Sequence, residues 1–226
     1  MDKYYESGTS SGKDDNWMNN SFESANRVKF DLFRNYGFIA AAGDRHLAEF
    51  MPPIYLKDPK VVESWKFGLT SVDYRIKDLH KRMERGKRLV AGEEMLPLEP
   101  CGEEGILLIK SLAGLTRTVS NVNIPNLGQI KNLPIGAVVE TNALFERDHI
   151  APVYAGSLPE NIKELIDPHV KNHEDTVEAA LTMDRELAFK AFMNDPLVTI
   201  SEEEGRVLFE EMLENTKEYL PEGWFQ

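Results

Sequence analysis

The segment Gly43-Asp44-Arg45-His46-Leu47-Ala48-Glu49-Phe50 crowds two carboxylates, a guanidinium and an imidazole into one short stretch. Ionised groups are costly to bury unless they are paired or do chemistry. Such density therefore points to a site that handles a polar, anionic small molecule. Asp44 or His46 could accept a proton as a general base. Arg45 carries the planar fork that grips a carboxylate or phosphate at two points, and Glu49 could orient either partner. The competing reading is a surface salt-bridge cluster. Two flanking features favour function. The apolar run Phe38-Ile39-Ala40-Ala41-Ala42 reads as a buried strand that opens on a cleft, which makes Gly43–Phe50 a loop at its mouth. Pro52-Pro53 then stops any helix.

Other groups are weaker. Val122 to Pro134 holds Asn123, Asn126, Gln129 and Asn132 at a strand end and its turn. Amides donate and accept, which suits sugar hydroxyls. Asn is also favoured in turns for its tolerance of left-handed backbone, and on the residues alone that reading outweighs the first. Glu140-Thr141-Asn142 sets a carboxylate in an apolar strand, where it needs a partner. Cys101 near a helix start could be an activated thiolate, but a small buried thiol is the simpler reading. His169 and His173 have ligand-like i, i+4 spacing but no third ligand, so they read as capping or surface residues and no metal ligand is assigned.

These groups need elements to hold them. Residues 1–19 are polar and read as a disordered or loop lead-in, followed by one domain over 20–226. Phe22, Ala25, Val28, Leu32 and Tyr36 form an apolar stripe, which predicts a helix from about Ser21 that Gly37 ends. Residues 72–92 read as an exposed amphipathic helix with a basic, solvated side. Glu103 to Leu115 reads as a helix buried on most sides. Strands are expected at 117–124, 136–145 and 150–154. Helices are expected to begin near Pro159, to span about 184–194, and to start from a capping box at Ser201-Glu202-Glu203-Glu204. The fold class is α+β, helix-rich with a small mixed or antiparallel sheet.

Composition narrows the partners. The chain has 226 residues, a formal net charge of -12 and one Cys. Its acidity argues against nucleic acid, which calls for clustered Lys and Arg. No segment has the roughly 20 apolar residues of a membrane span. An internal disulfide is impossible, and with no signal-peptide core at the N-terminus the expected location is cytoplasmic. No Gly-x-Gly-x-x-Gly, P-loop, His-Glu-x-x-His or Cys-x-x-Cys occurs.

Taken together, Val28–Phe33 with Tyr36-Gly37, Gly43–Phe50, Gly102-Glu103-Glu104, Val122–Asn126 and Asn132-Leu133-Pro134 resemble glycoside hydrolase family 4. The order and spacing of these stretches carry the resemblance, which spans about residues 20–215. The Gly-Asp-Arg-His form of the segment is most similar to the alpha-galacturonidase branch, beside the alpha-galactosidases. The resemblance implies a lactate dehydrogenase-like C-terminal domain. It also implies an upstream NAD-binding domain and a divalent metal, usually Mn2+, held by a Cys and a His in motifs that this sequence lacks. The chain thus resembles the C-terminal half of such an enzyme, inactive alone, with its upstream part separately encoded or lost.

The mechanism so implied differs from that of two-carboxylate glycosidases. The 3-hydroxyl of the sugar is oxidised at the expense of NAD, which acidifies the hydrogen on carbon 2. A base removes that hydrogen, the aglycone leaves by elimination, water adds, and the hydride returns. Some branches use a Tyr base. Here Asp44 and His46 are the candidates, Arg45 holds the uronate carboxylate, Glu49 binds the substrate beside it, and Asn123 and Asn126 contact the sugar or line the metal site from the C-terminal side. The expected partners are a galacturonide-type glycoside and either further copies of the chain or a separate N-terminal half. The alternative is a non-catalytic remnant or oligomerisation subunit of a split enzyme. The substrate domain of a lactate or malate dehydrogenase shares the expected architecture but gives Asn-Ile-Pro-Asn no role.

Overall fold

The computed structural model describes residues 24–51, 53–97, 99 and 102–225. The lead-in at 1–19 and Cys101 lie outside the described residues. The span read as one domain comprises two compact units, Met1–Glu104 and Gly105–Gln226. Across them the described residues form eight α-helices and a three-stranded antiparallel sheet, matching the helix-rich α+β expectation. Among the described residues, no helix is long and apolar enough to cross a membrane.

In the first unit, α1 (Arg27–Tyr36) ends at Gly37, whose φ of 81° suits glycine and whose N–H donates to the Phe33 carbonyl. Helix α2 (Asp44–Phe50) follows, then α3 (Pro59–Ser64), with Pro59 in its first turn. The Asp58 side chain caps α3 by accepting from Val61 N–H at 2.9 Å. Val28, Leu32, Leu47, Ala48, Tyr55, Val62 and Phe67 make the core, and Trp65 meets Tyr55 edge-on at 4.9 Å. Helix α4 (Val72–Val90) is capped by Ser71 and buries none of its residues, in line with the exposed amphipathic helix expected.

Two expectations fail here. The charged segment after Gly43 is a helix, not a loop. The run Phe38–Ala42 forms no strand, and Phe38 and Ile39 are more than half exposed. A strand needs a neighbour for its backbone groups. No strand among the described residues pairs with this run, and the core is closed by α1 and α2 packing on each other, with Ala40 and Ala42 half-buried against it and Phe38 and Ile39 facing out.

In the second unit, α5 (Gly105–Leu112) packs against β1 (Thr118–Pro125) and β2 (Val138–Glu146). Contrary to expectation, α5 buries only Ser111, while Ile106 and Ile109 are largely exposed. Its contact with the sheet is one narrow face, where the Ser111 hydroxyl bonds Leu107 O and Thr118 Oγ1. Strand β3 (His149–Pro152) completes the sheet in the order β1-β2-β3. Register pairs Asn121 with Asn142 and Asn123 with Glu140, so these four share one face. Thr118, Ser120, Val122 and Ile124 share the other with Val139, Thr141, Ala143 and Phe145.

Three helices close the chain: α6 (Glu160–Thr182), α7 (Arg185–Met193) and α8 (Glu202–Asn215). Helix α6 runs through Pro168. Asp184 caps α7, and the capping box at Ser201 and Glu204 is present at α8. Phe189, Phe192 and Phe209 stack between α7 and α8, with Arg206 over the Phe189 ring.

Candidate functional site

Helix α2 sorts its residues by face. Asp44, Leu47 and Ala48 point into the core of the first unit. Arg45 and Glu49 are half-buried and His46 is exposed, so these three form the outward surface. Arg45 and Glu49 are neighbours at i, i+4 on that surface. The residues proposed from sequence to grip and deprotonate a ligand are therefore together on one short helix, with Asp44 as the exception.

Asp44 is 1% exposed. Its Oδ1 accepts the Lys29 N–H at 3.0 Å, at the open N-terminus of α1. Asn26 makes no side-chain cap there, so Asp44 reaches from α2 to do that work. Burial pushes its pKa above the ordinary carboxylate value, while N–H groups of Lys29, Val28 and Arg27 and the Ser24 hydroxyl pull the other way and lose. Its Oδ2 is buried and has no hydrogen-bond partner among the described residues. A carboxylate turned into a helix end is poorly placed to reach a substrate and well placed to fix α2 against α1.

A group whose folded pKa is raised contributes stability that is present below its unfolded pKa and lost as pH rises through the folded value. Asp44→Asn keeps an acceptor for the Lys29 N–H without a charge. Its unfolding free energy is expected to lose that fall above the ordinary carboxylate range, and the protein to remain folded. Asp44→Ala removes the cap and is expected to cost about 1–2 kcal/mol. Urea titrations at a series of pH values test both, and a steeper decline in the Asn variant would refute this account.

The Asn-rich stretch proves to be a clamp. Asn126 is fully buried, and its Nδ2 donates to the carbonyls of Ile130, Leu133 and Pro134 at 2.9, 3.0 and 3.0 Å. Its Oδ1 accepts from Gly128 N–H and Ile130 N–H. No amide group of Asn126 is left for a sugar. Gln129 ties Leu127 N–H to the Pro125 carbonyl, and Asn132 bonds both backbone groups of Leu158. The Asn126→substrate contact read from sequence is thus replaced by a structural role, because a long strand connection needs partners for its buried backbone groups. Asn123 differs: it is exposed on β1 opposite Glu140.

Beside it, Asn121, Glu140, Thr141, Asn142, Tyr154 and Ser157 line an open cleft of about 360 Å³. Asn121 and Tyr154 were not singled out from sequence; the period-2 match of Asn121 and Asn123 against 140 and 142 was the available signal. The α2 surface belongs to the first unit and this cleft to the second. His169 and His173 lie on α6 with no further ligand, and no group of three His, Cys, Asp or Glu that could hold a metal occurs among the described residues.

Comparison with known proteins supplies the family. The model of the "Family 4 glycosyl hydrolase C-terminal domain" matches residues 1–198. An alpha-galacturonidase of Thermoanaerobacterium saccharolyticum is 59% identical over 99% of this chain and 48% of its own length. The solved structure of lplD from Bacillus subtilis, described as a glucosidase, superposes with a TM-score of 0.85 at 46% identity, over 94% of this chain and 48% of that one. A 6-phospho-beta glucosidase from Thermotoga maritima, solved with manganese, NAD+ and glucose-6-phosphate, shares the fold with a TM-score of 0.60 at 22% identity, over 85% of this chain and 48% of that one. The chain spans about half the length of the curated relatives it matches. A family model covering most of the sequence, together with the α+β fold held in common, shows that this chain belongs to the family 4 glycosyl hydrolases, as their C-terminal domain.

Proposed function

We propose that this chain supplies the substrate-facing half of an alpha-galacturonidase that works with NAD and a divalent metal ion such as manganese. The observation that carries the reading is the 59% identity to an alpha-galacturonidase across nearly the whole chain. The α2 surface gives that identity a physical role. When bound, NAD and the metal supply the oxidation at carbon 3 and the acidity at carbon 2. The described residues of this chain gather no metal donor set of their own.

What this chain's own residues do is bind and move a proton. Arg45 pairs with the uronate carboxylate through its fork. His46, next to it and exposed, is the better candidate base, and Glu49 orients one of the two. Asp44 acts as a positioning residue for α2. Asn123 offers an exposed amide from β1.

The test is a fusion of this chain to the upstream half of the Thermoanaerobacterium saccharolyticum relative. The fusion is expected to release galacturonate from an alpha-galacturonide only with NAD and Mn2+, and the 226-residue chain alone to release none. Turnover by the chain alone would overturn the division of labour. A folded fusion that binds NAD but leaves every galacturonide intact would overturn the substrate.

A further inference from the structure

Strand β2 has a neighbour along only part of one edge. Strand β1 pairs with Val138–Phe145, whereas β3 pairs only with Ala143–Glu146. Just past Pro152 the Val153 N–H still donates to the Asn142 carbonyl at 2.8 Å. The chain then turns away, and the Ala155 N–H donates to the Gln129 carbonyl instead. Backbone groups alternate between the two edges of a strand, so those of Glu140 point the same way as those of Asn142. They face the gap that β3 leaves, and that gap opens into the cleft of about 360 Å³.

The polar groups of this cleft are uncommitted. Asn121 and Asn142 stand directly opposite each other in a pair that exchanges no backbone hydrogen bonds, the arrangement that brings facing side chains closest. Both are exposed, as are Glu140, Tyr154 and Ser157. None of these five side chains has a hydrogen-bond or ionic partner among the described residues. Thr141 also lines the cleft, is only 7% exposed, and its Oγ1 is buried with no partner among the described residues. A buried hydroxyl left unpaired is uncommon in a native fold and marks a place where a ligand or water completes the bonding. Tyr154, 69% exposed, offers an aromatic ring to the same cleft.

The chemistry of these groups selects the ligand. Amides and hydroxyls both donate and accept, which matches neighbouring hydroxyls on a sugar ring, and an aromatic face suits the ring's C–H side. Among the described residues, Glu140 is the one charged group lining the cleft. An anion would lose its water there and meet a like charge. An added peptide strand would use the backbone edge at Glu140 but leave the Asn121–Asn142 pair idle. We propose that this cleft binds a neutral pyranose. Asn121 and Asn142 bond its hydroxyls, Glu140 accepts from a further hydroxyl, and Tyr154 covers its C–H face. Glu140 then gives the second unit a preference for uncharged sugars, opposite to the preference proposed for Arg45.

Titration of the isotope-labelled 226-residue chain with the methyl pyranosides of galactose, glucose and mannose tests this by NMR. At least one is expected to shift the side-chain amide signals of Asn121 and Asn142, with a dissociation constant in the millimolar range. The matching methyl uronates should shift neither. Asn142→Ala and Tyr154→Ala, both at exposed positions, should each weaken binding by about 3- to 10-fold with unchanged circular dichroism. Glu140→Gln should admit the uronate while holding the neutral sugar within about threefold, a change of preference that a structural role would not produce. No step needs an upstream half, NAD or a metal, so the outcome is independent of the reading of α2. Three neutral glycosides that leave both amides unmoved at tens of millimolar would overturn the proposal. So would a uronate bound as well as the neutral sugar by the parent chain, or shifts confined to α2. Shifts produced only by an extended peptide of alternating Val and Lys would assign the edge to an added strand and overturn it too.

Discussion

Arg45→Ala, made in the enzyme reconstituted with an upstream half, is expected to raise KM for an alpha-galacturonide by about 10- to 100-fold. KM for the matching neutral galactoside should move less than about threefold. The asymmetry is the point. A hydrogen bond to a charged group is worth about 1.5–3 kcal/mol, and each 1.4 kcal/mol is a factor of ten in binding. That energy exists only when the sugar carries a carboxylate. Arg45→Lys keeps the charge but loses the planar two-point fork, so it should recover part of the loss. Arg45 is placed for this task by the half-turn of α2 that buries Asp44 and Leu47 and leaves 45, 46 and 49 outward. Steady-state kinetics on the two substrates decide it, and equal rises on both would remove the carboxylate role.

The largest effect on stability is expected at Asn126. Its side chain makes five hydrogen bonds to backbone groups, all inside one strand connection. Asn126→Ala would take this partner from the carbonyls of Leu133 and Pro134 and from two N–H groups, while the Ile130 carbonyl keeps the Leu133 N–H. The expected cost is about 3–5 kcal/mol, enough to consume a large share of a domain's margin. Asn126→Asp is expected to be nearly as severe, because it keeps the acceptor and loses both donors. Thermal denaturation should show both variants melting well below the parent. A shift of a degree or two in Asn126→Ala would mean that water replaces the side chain, and the clamp would be no clamp.

These two residues also mark what was legible in the sequence and what was not. The strands at 118–125, 138–146 and 149–152 were readable because alternation has a period that few other structures share. The capping box at Ser201 was readable because it is local chemistry, and the helix expected over about 184–194 is found at Arg185–Met193. The stripe from Val28 to Tyr36 was readable for the same reason, although it begins later than expected, at Arg27. Failures came where tertiary context decides. Phe38–Ala42 is apolar, but apolarity does not create a neighbouring strand. The apolar helix at Gly105–Leu112 looked like core, yet only one narrow face meets the sheet. Asp44 read as a reagent because charge density cannot tell a carboxylate facing solvent from one facing a helix end. The short helix α3 went unseen, being one and a half turns set by Asp58 and Pro59. For the site, grouping Arg45, His46 and Glu49 was possible from spacing alone. Separating Asn123 from Asn126 required knowing which amide was surrounded.

The connection from Pro125 to Val138 has an entropic consequence beyond the bonds it contains. A chain segment that wanders between two strands resists closure in proportion to the logarithm of its free length. Here Asn126 binds residues four, seven and eight positions ahead, and its backbone carbonyl accepts from Gly136. One side chain thus cuts a long excursion into several short ones, each with little freedom left to surrender. The hairpin that carries Asn121, Asn123, Glu140 and Asn142 is held in register by its own neck, and those four side chains inherit a rigid spacing before any ligand arrives.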